Sequence, residues 1–420
     1  MSFRIESIGF VNIGPFGKLQ LKFPEKLDTE KAEIHILTGE NGTGKTTVLE
    51  MMAACLKLQV PSEFLDKCRN AAEVKGVQLG FYYGSQQGRT LKPDSKAHES
   101  VHIRQFWERF EKPTSAFPFA FFAYSGYRRV SNVEIKGIQE LQEHALKGAL
   151  DFQRTSNPQL ILQWIANTKA AEAIATSQQE PEEAEQRRMA IQKLEESITD
   201  IIGKKVSFKL ETKPYAVKVD VDGERLSFNL LPDGLKSIIS WIADLLMRMD
   251  RVKWLNEIPV FERNFVLFLD EIEVHLHPAW QRKILPAVQK LFPNAQIFIS
   301  THSPFVVGSV DGAWIHKLVK PNGDSQLAEG YPMLSEDAKS FRYWLDEVFD
   351  ISSEYGVEAD RQLTAFYELR DTLLKKPSAK DQQLFIQAGQ ALAIQSEELR
   401  QIIEMELRQV NRRLDLRLSI

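Results

Sequence analysis

At 420 residues the chain holds roughly two or three domain-sized units, and its 43% hydrophobic and 26% charged residues exclude the disordered, collagen-like and fibrous classes. Fifty-three Lys and Arg against 57 Asp and Glu give a net charge of -4, which excludes a global basic field; contact with nucleic acid or an acidic membrane needs a local patch. Two cysteines, Cys55 and Cys68, are too few for a disulfide framework or a cysteine zinc site.

Residues 3–23 alternate apolar and polar as two short strands, FRIESIGFV and KLQLKF, around the turn-forming pair Gly14 and Pro15. The apolar run EIHIL (33–37) predicts a strand that enters TGENGTGKTT, and VLEMMAACLKL after it has helical spacing. Residues 77–83 and 100–107 read as further strands, making an antiparallel flap beside the first two. From 133 to 203 the chain turns polar and helical, rich in Gln, Glu and Ala, but without the sustained heptads of a long coiled coil.

Strands return with VSFKL and YAVKVDV, then the turn Asp222-Gly223 and ERLSF, followed by the helix IISWIADLLMRM. FVLFL (265–269) is continuously apolar, as a parallel strand buried on both faces must be, and QIFI (296–299) repeats the pattern. Beyond about residue 335 the chain reads as helix. Ser378 to Asp381 offers a capping-box-like start, and Ile403, Leu407, Val410 and Leu414 form a 4-3-4 stripe. That stripe suits packing within its own domain or a partner surface. The N-terminus lacks a basic-then-apolar leader, and no run of about 18 uncharged apolar residues occurs, so a soluble cytoplasmic protein is expected.

Gly39, Glu40, Asn41, Gly42, Thr43, Gly44, Lys45 and Thr46 satisfy G-x-x-x-x-G-K-[ST] between a strand and a helix. A triphosphate needs several donors converging on anionic oxygens, and the backbone N–H groups of a glycine-rich loop at a helix N-terminus supply them. Lys45 reaches the β- and γ-phosphates of ATP, and the Thr46 hydroxyl ligates Mg2+. Hydrolysis needs more: a carboxylate for the metal and one for water. Asp270 and Glu271 stand just past FVLFL, at a strand end, and fill those two roles. A second strand ends in Thr301-His302-Ser303-Pro304, where the His302 imidazole is placed to sense the γ-phosphate. His275 and His277, at i and i+2 with no third ligand near, read as structural.

The phosphate loop, DEIEVHLHPAWQRKILP and ISTHSP together resemble the ATPases of the ABC-type superfamily, in the branch of RecF, the OLD nucleases and SMC heads, over about residues 1–320. That resemblance implies an α/β head with a mixed sheet, an antiparallel β flap, a helical insertion and an all-helical C-terminal region. It implies nucleotide binding by Gly39 to Thr47, Thr47 included, with Thr46 and Asp270 serving magnesium, Glu271 as catalytic carboxylate and His302 as switch histidine. It also implies ATP-sandwich head dimers, in which a signature loop caps the γ-phosphate of the partner head. The candidate loop is 231–237, with Gly234 or Lys236 making the contact, because Pro232 replaces the usual serine. The glutamine loop of the family falls at AYSGYRR, where Arg128 is the candidate in place of glutamine.

An Asp-x-Asp pair, which a Toprim nuclease requires, is missing after His302, so no nuclease site is expected on this chain. LPDGLKSIISWIADLL, the Asp270 motif and the tail SFRYWLDEVFDISSEYG resemble the PtuA-type ATPases of Septu and retron anti-phage systems. This likeness implies a partner HNH endonuclease and, in the retron case, a reverse transcriptase with its RNA–DNA product; it leaves a DNA contact open and involves no membrane. The expected layout is an ATPase lobe at 1–132, the helical insertion at 133–204, a second lobe at 205–325 and a helical partner-docking region at 326–420. The competing readings are an ATP-gated DNA clamp resembling RecF and a nucleotide-binding scaffold with little turnover.

Overall fold

In the computed structural model, which describes residues 2–57, 76–92, 101–112, 115–126, 135, 137–152 and 156–419, the alternating N-terminal stretch forms β1 (Phe3–Ile13) and β2 (Phe16–Lys22). The apolar run before the glycine-rich loop is β3 (Glu33–Gly39), and α1 (Lys45–Leu56) follows the loop. β4 (Gly76–Tyr83) and β5 (Gln86–Lys92) complete an antiparallel sheet in the order β2-β1-β4-β5, the expected flap.

Of residues 100–107, expected as a strand, 101–107 lie instead in α2 (Val101–Phe110), and residue 100 is outside the described residues. The apolar positions Ile103, Phe106 and Phe110 recur at three and four residues, a helical period, and the first two are buried. The Phe106 ring stacks on Phe119, with centroids 5.3 Å apart. Next comes β6 (Ala120–Tyr124), a strand the sequence reading did not separate from its aromatic surroundings.

The polar stretch, expected to be helical from 133, is helical from Pro158 on, in α3 (Pro158–Ser177) and α4 (Pro181–Ile202), whereas its described residues before Pro158 form turns and loops. Asn157 caps the first by accepting the Gln159 N–H, with Pro158 at the first turn where its missing N–H costs nothing. β7 (Val206–Thr212), β8 (Tyr215–Val221) and β9 (Glu224–Ser227) form a separate antiparallel sheet. Asp222 and Gly223, at φ 52 and 93, make the tight turn between β8 and β9. The helix α5 (Asp233–Arg251) is buried along most of its length.

β10 (Phe265–Leu269), α6 (Pro278–Leu291), β11 (Ala295–Ser300), α7 (Pro304–Val307) and β12 (Trp314–Val319) follow. Among the described residues the central sheet runs β13-β12-β3-β11-β10-β6, where β13 is Gln326–Leu327 and β14 (Met333–Leu334) also pairs with β12. β12, β3, β11, β10 and β6 run parallel, and β13 and β14 run against β12. The mixed α/β class is therefore the one found. Registers are level: Leu269 lies beside Ile299 and Tyr124, and Ile299 beside Ile36. With neighbouring strands about 4.8 Å apart, the carboxyl ends of β3, β11 and β10 fall within roughly 10 Å of one another.

At the opposite end of β3 is a polar core. His35 and His316 are fully buried with Nδ1 and Nε2 3.2 Å apart, and His35 Nε2 meets Glu33 Oε1 at 2.8 Å. Arg4 Nε donates to Glu33 Oε2 at 2.8 Å. Burial holds both imidazoles below the ordinary 6.5, so they fold neutral. Their stabilisation is complete above about pH 6.5 and is lost as pH falls from there toward the depressed folded values, because the unfolded chain then binds protons the folded one refuses. Urea midpoints measured from pH 7.5 to 5.5 are expected to fall, at up to about 1.4 kcal/mol per pH unit per histidine. A His316→Gln variant should show a shallower decline.

α8 (Phe341–Phe349) ends a first compact unit, Met1–Phe349, and Asp350–Ile420 forms a second. The second unit contains α9 (Val357–Lys375), α10 (Ala379–Ala393) and α11 (Glu397–Leu414). Ser378 caps α10 by accepting the Asp381 N–H at 3.1 Å, as its sequence signal requires. Ile403, Leu407 and Val410 are buried in this unit's own core with Phe366 and Phe385, and Leu414 packs against them. The 4-3-4 stripe thus serves internal packing. Among the described residues no helix is long and apolar enough to cross a membrane.

Candidate active site

Three adjacent strand ends build the site. β3 stays buried through Thr38 and then turns at Gly39, whose φ is 134. A Cβ there would fall 2.1 Å from the Leu318 carbonyl oxygen of β12, so the strand can pass into the loop only through glycine. Gly42 and Gly44 also have positive φ, Glu40 and Asn41 are exposed, and the Thr43 hydroxyl closes the loop by donating to the Glu40 carbonyl at 2.8 Å. The loop ends at the N-terminus of α1, where unpaired backbone N–H groups and the helix dipole favour an anion.

Lys45 is buried and folded back over this loop. Its ammonium donates to the carbonyls of Gly39 and Glu40, both at 2.9 Å. Burial lowers its pKa to about 8, against the opposing pull of Asp270, Glu273 and Glu271. An incoming phosphate would replace carbonyl partners with anionic ones and restore the charge. Thr47 lies against the turn between β1 and β2, its Cγ2 3.1 Å from where a Cβ on Gly14 would stand.

Asp270 follows the buried strand β10 and is 8% exposed. Its N–H donates to the Tyr124 carbonyl at the end of β6, at 2.9 Å. Its Oδ1 accepts the Thr46 hydroxyl at 2.9 Å and the Ser300 hydroxyl at 2.5 Å. The two residues expected to serve magnesium are therefore hydrogen-bonded across 224 residues of sequence. Both are oxygen donors, the kind a hard cation takes alongside phosphate and water, so they fit Mg2+.

Glu271 sits in a left-handed conformation, φ 49, uncommon for a side chain of this size. Its N–H donates to Ser300 Oγ at 2.8 Å, fixing the residue between β10 and β11. Burial raises its carboxyl, Asp270 raises it further, and Lys45 opposes them. A raised carboxyl is a stronger proton acceptor. His302 stands exposed at the end of β11; burial lowers its pKa, Lys45 lowers it further and Asp270 opposes. Lys45, Asp270, Glu271 and His302 thus share one electrostatic field.

Gly234 is not part of this cluster. It is buried at the start of α5, where a Cβ would lie 2.6 Å from the His275 carbonyl oxygen and 3.0 Å from Trp280. Lys236 pairs with Asp233 at 3.3 Å. His277 accepts the Ala279 N–H through Nδ1 at 3.2 Å and caps α6, while His275 is exposed. Arg128 and Cys68 lie outside the described residues, whereas Cys55 is buried in α1.

Two contributors escaped the sequence reading. Ser300, the last residue of β11, bridges Asp270 and Glu271; Glu273 accepts the His302 N–H at 2.6 Å. The Asp-Glu-x-Glu spacing was a signal for the second. Nothing local marked the first.

Residues 34–308 match the family model described as "AAA domain, putative AbiEii toxin, Type IV TA system". The Retron Ec83 probable ATPase of Escherichia coli is 34% identical over 113 residues, 26% of this chain and 21% of that protein. The Retron Vc95 probable ATPase of Vibrio cholerae is 22% identical over 450 residues, 89% of this chain and 84% of that protein. The Septu protein PtuA of Bacillus thuringiensis is 27% identical over 139 residues, 33% of this chain and 34% of that protein. The matches thus span about a fifth of the Ec83 protein and a third of PtuA, but most of the Vc95 protein. Among solved structures, an SMC head bound to the C-terminal winged-helix domain of ScpA superposes with a TM-score of 0.47 at 13% identity, covering 77% of this chain and 97% of that one.

Proposed function

The chain belongs to the AAA-domain family just described, and from that premise we propose that it is the ATP-binding and hydrolysing subunit of a cytoplasmic anti-phage defence complex, whose ATP-bound heads pair head-to-tail and control a partner HNH endonuclease. The observation that carries the hydrolytic part is the meeting of three strand ends, with the Thr46 hydroxyl on Asp270 at 2.9 Å and Lys45 in the same field. The retron and Septu relatives support the defence setting.

In this reading the loop Gly39 to Thr47 binds the phosphates and Lys45 releases its two carbonyls to bind the β- and γ-oxygens. Thr46 and Asp270 hold Mg2+, which when bound neutralises charge on the phosphates. Glu271 accepts the proton of the attacking water, with its backbone fixed by Ser300. His302, neutral near pH 7, donates a hydrogen bond toward the γ-phosphate side and reports its loss. The N-terminus of α5, near Gly234 and Lys236, serves the nucleotide of the opposing head.

In this reading DNA cleavage belongs to the partner. A reverse transcriptase with its RNA–DNA product joins the complex in a retron setting. The helical unit Asp350–Ile420 docks the nuclease; its exposed Val357, Ile394 and Met405 offer apolar contacts. Deleting residues 350–420 from the chain co-expressed with its companion nuclease is expected to abolish co-purification while leaving ATP binding in place. A retained complex would move the interface to the first unit.

A further inference from the structure

We infer that Glu273 is a positioning residue of the hydrolytic site, clamping the His302 loop to the turn that carries Glu271. The inference rests on the ATPase reading above. Glu271 and His302 come from different strands, yet both must face one phosphorus. Glu273 lies in the same tight turn as Glu271, where the Val274 N–H donates to the Glu271 carbonyl at 3.1 Å and the Leu276 N–H to the Glu273 carbonyl at 2.9 Å. From that turn its Oε1 accepts the backbone N–H of His302, 29 residues on, at 2.6 Å.

This bond is short, at the low end of the N–H···O range, so it constrains rather than merely touches the loop. Burial raises the Glu273 carboxyl, while the His302 N–H and the neighbouring Thr301 side chain hold it down, so the group is tied to the sensor loop at two adjacent residues. Glu273 also acts on Lys45, opposing the drop in its pKa more than Glu271 does. The third carboxylate therefore shares the field of Lys45 while it grips the sensor loop. A displacement of about 1 Å at either group costs on the order of a hundredfold in rate, which sets the size of effect such a clamp controls.

Full-length protein carrying Glu273→Ala is expected to lose about tenfold to a hundredfold in kcat, with KM for ATP within about twofold of the parent. Glu273→Gln keeps an acceptor oxygen for the His302 N–H and should recover most of the rate. On a His302→Ala background, Glu273→Ala should cost no more than about threefold, since the two act through one element. A merely structural role would lower affinity, rate and thermal midpoint together and would be additive with His302→Ala.

A readout that needs no hydrolysis decides the clamp by itself. In nucleotide-free protein the His302 amide should exchange at least about tenfold faster in Glu273→Ala and near the parent rate in Glu273→Gln. Unchanged exchange, an unchanged kcat or full additivity overturns the inference. Parent protein that binds but never hydrolyses ATP would sink the ATPase reading, while the exchange result would still decide the contact.

Discussion

Replacing Glu271 by Gln is expected to reduce ATP turnover by at least about a hundredfold while leaving nucleotide bound, the usual loss when a positioned general base is removed. The change is nearly isosteric, and the backbone N–H to Ser300 that fixes the residue is untouched. What disappears is a carboxylate that burial and Asp270 hold above the ordinary glutamate range. The raised value has a visible sign in the parent protein. Turnover should fall on the acid side as pH drops through a pKa above 4.5, because the base is then protonated, and the Gln variant should lack that limb. Phosphate release gives the rate, and light scattering with ATP gives the oligomer. Trapped ATP should prolong the head-to-tail dimer. Full turnover in the variant would remove Glu271 from the chemistry, and loss of ATP binding would recast it as a structural residue.

Arg248→Ala should be the most damaging single change to the first unit's stability, at about 3–5 kcal/mol. Arg248 Nε donates to Asp244 Oδ2 at 2.6 Å, and its Nη1 donates to the carbonyls of Ala145 and Lys147 at 2.7 and 2.9 Å. Asp244 is fully buried and also accepts the Tyr124 hydroxyl at 2.9 Å. Burial pushes its carboxyl up even with Arg248 beside it. Removing the guanidinium leaves that carboxylate in a dry site without its counter-ion, held by the Tyr124 hydroxyl and the Asn157 backbone. The replacement Asp244→Leu with Arg248→Met should recover most of the loss, since an apolar pair of similar volume needs no counter-ion. Urea unfolding of the three proteins separates the outcomes, and equal instability of single and double variants would contradict the buried-charge explanation. Because the Tyr124 carbonyl accepts the Asp270 N–H, the single variant should also loosen the end of β10.

The parts of the site that could be read from the sequence are those whose chemistry is packed into a short motif. Gly39 to Thr46 fixes a loop by composition alone, and FVLFL followed by Asp270 and Glu271 states both the strand and its functional end. Ser300 and Glu273 were harder because their meaning is a contact spanning 30 and 29 residues, which no window of sequence contains. The helix Val101–Phe110 was misread for a related reason: its first residues fit a strand's alternation, and the helical period emerges only when Phe106 and Phe110 are read with Ile103 and with the aromatic partners they meet. The C-terminal stripe left two readings open until Ile403, Leu407 and Val410 were seen in the core of their own unit. β6 and β12 went unnoticed, although they flank the site-bearing strands on either side.

The most direct measurement is an experimental structure of the Glu271→Gln protein with Mg2+ and ATP. The triphosphate should lie on the loop Gly39 to Thr46, with Lys45 turned from its two carbonyls onto the β- and γ-oxygens, and His302 facing the terminal phosphate. Nucleotide bound elsewhere, or a γ-phosphate ringed by other residues while Lys45 keeps its carbonyls, would contradict the account.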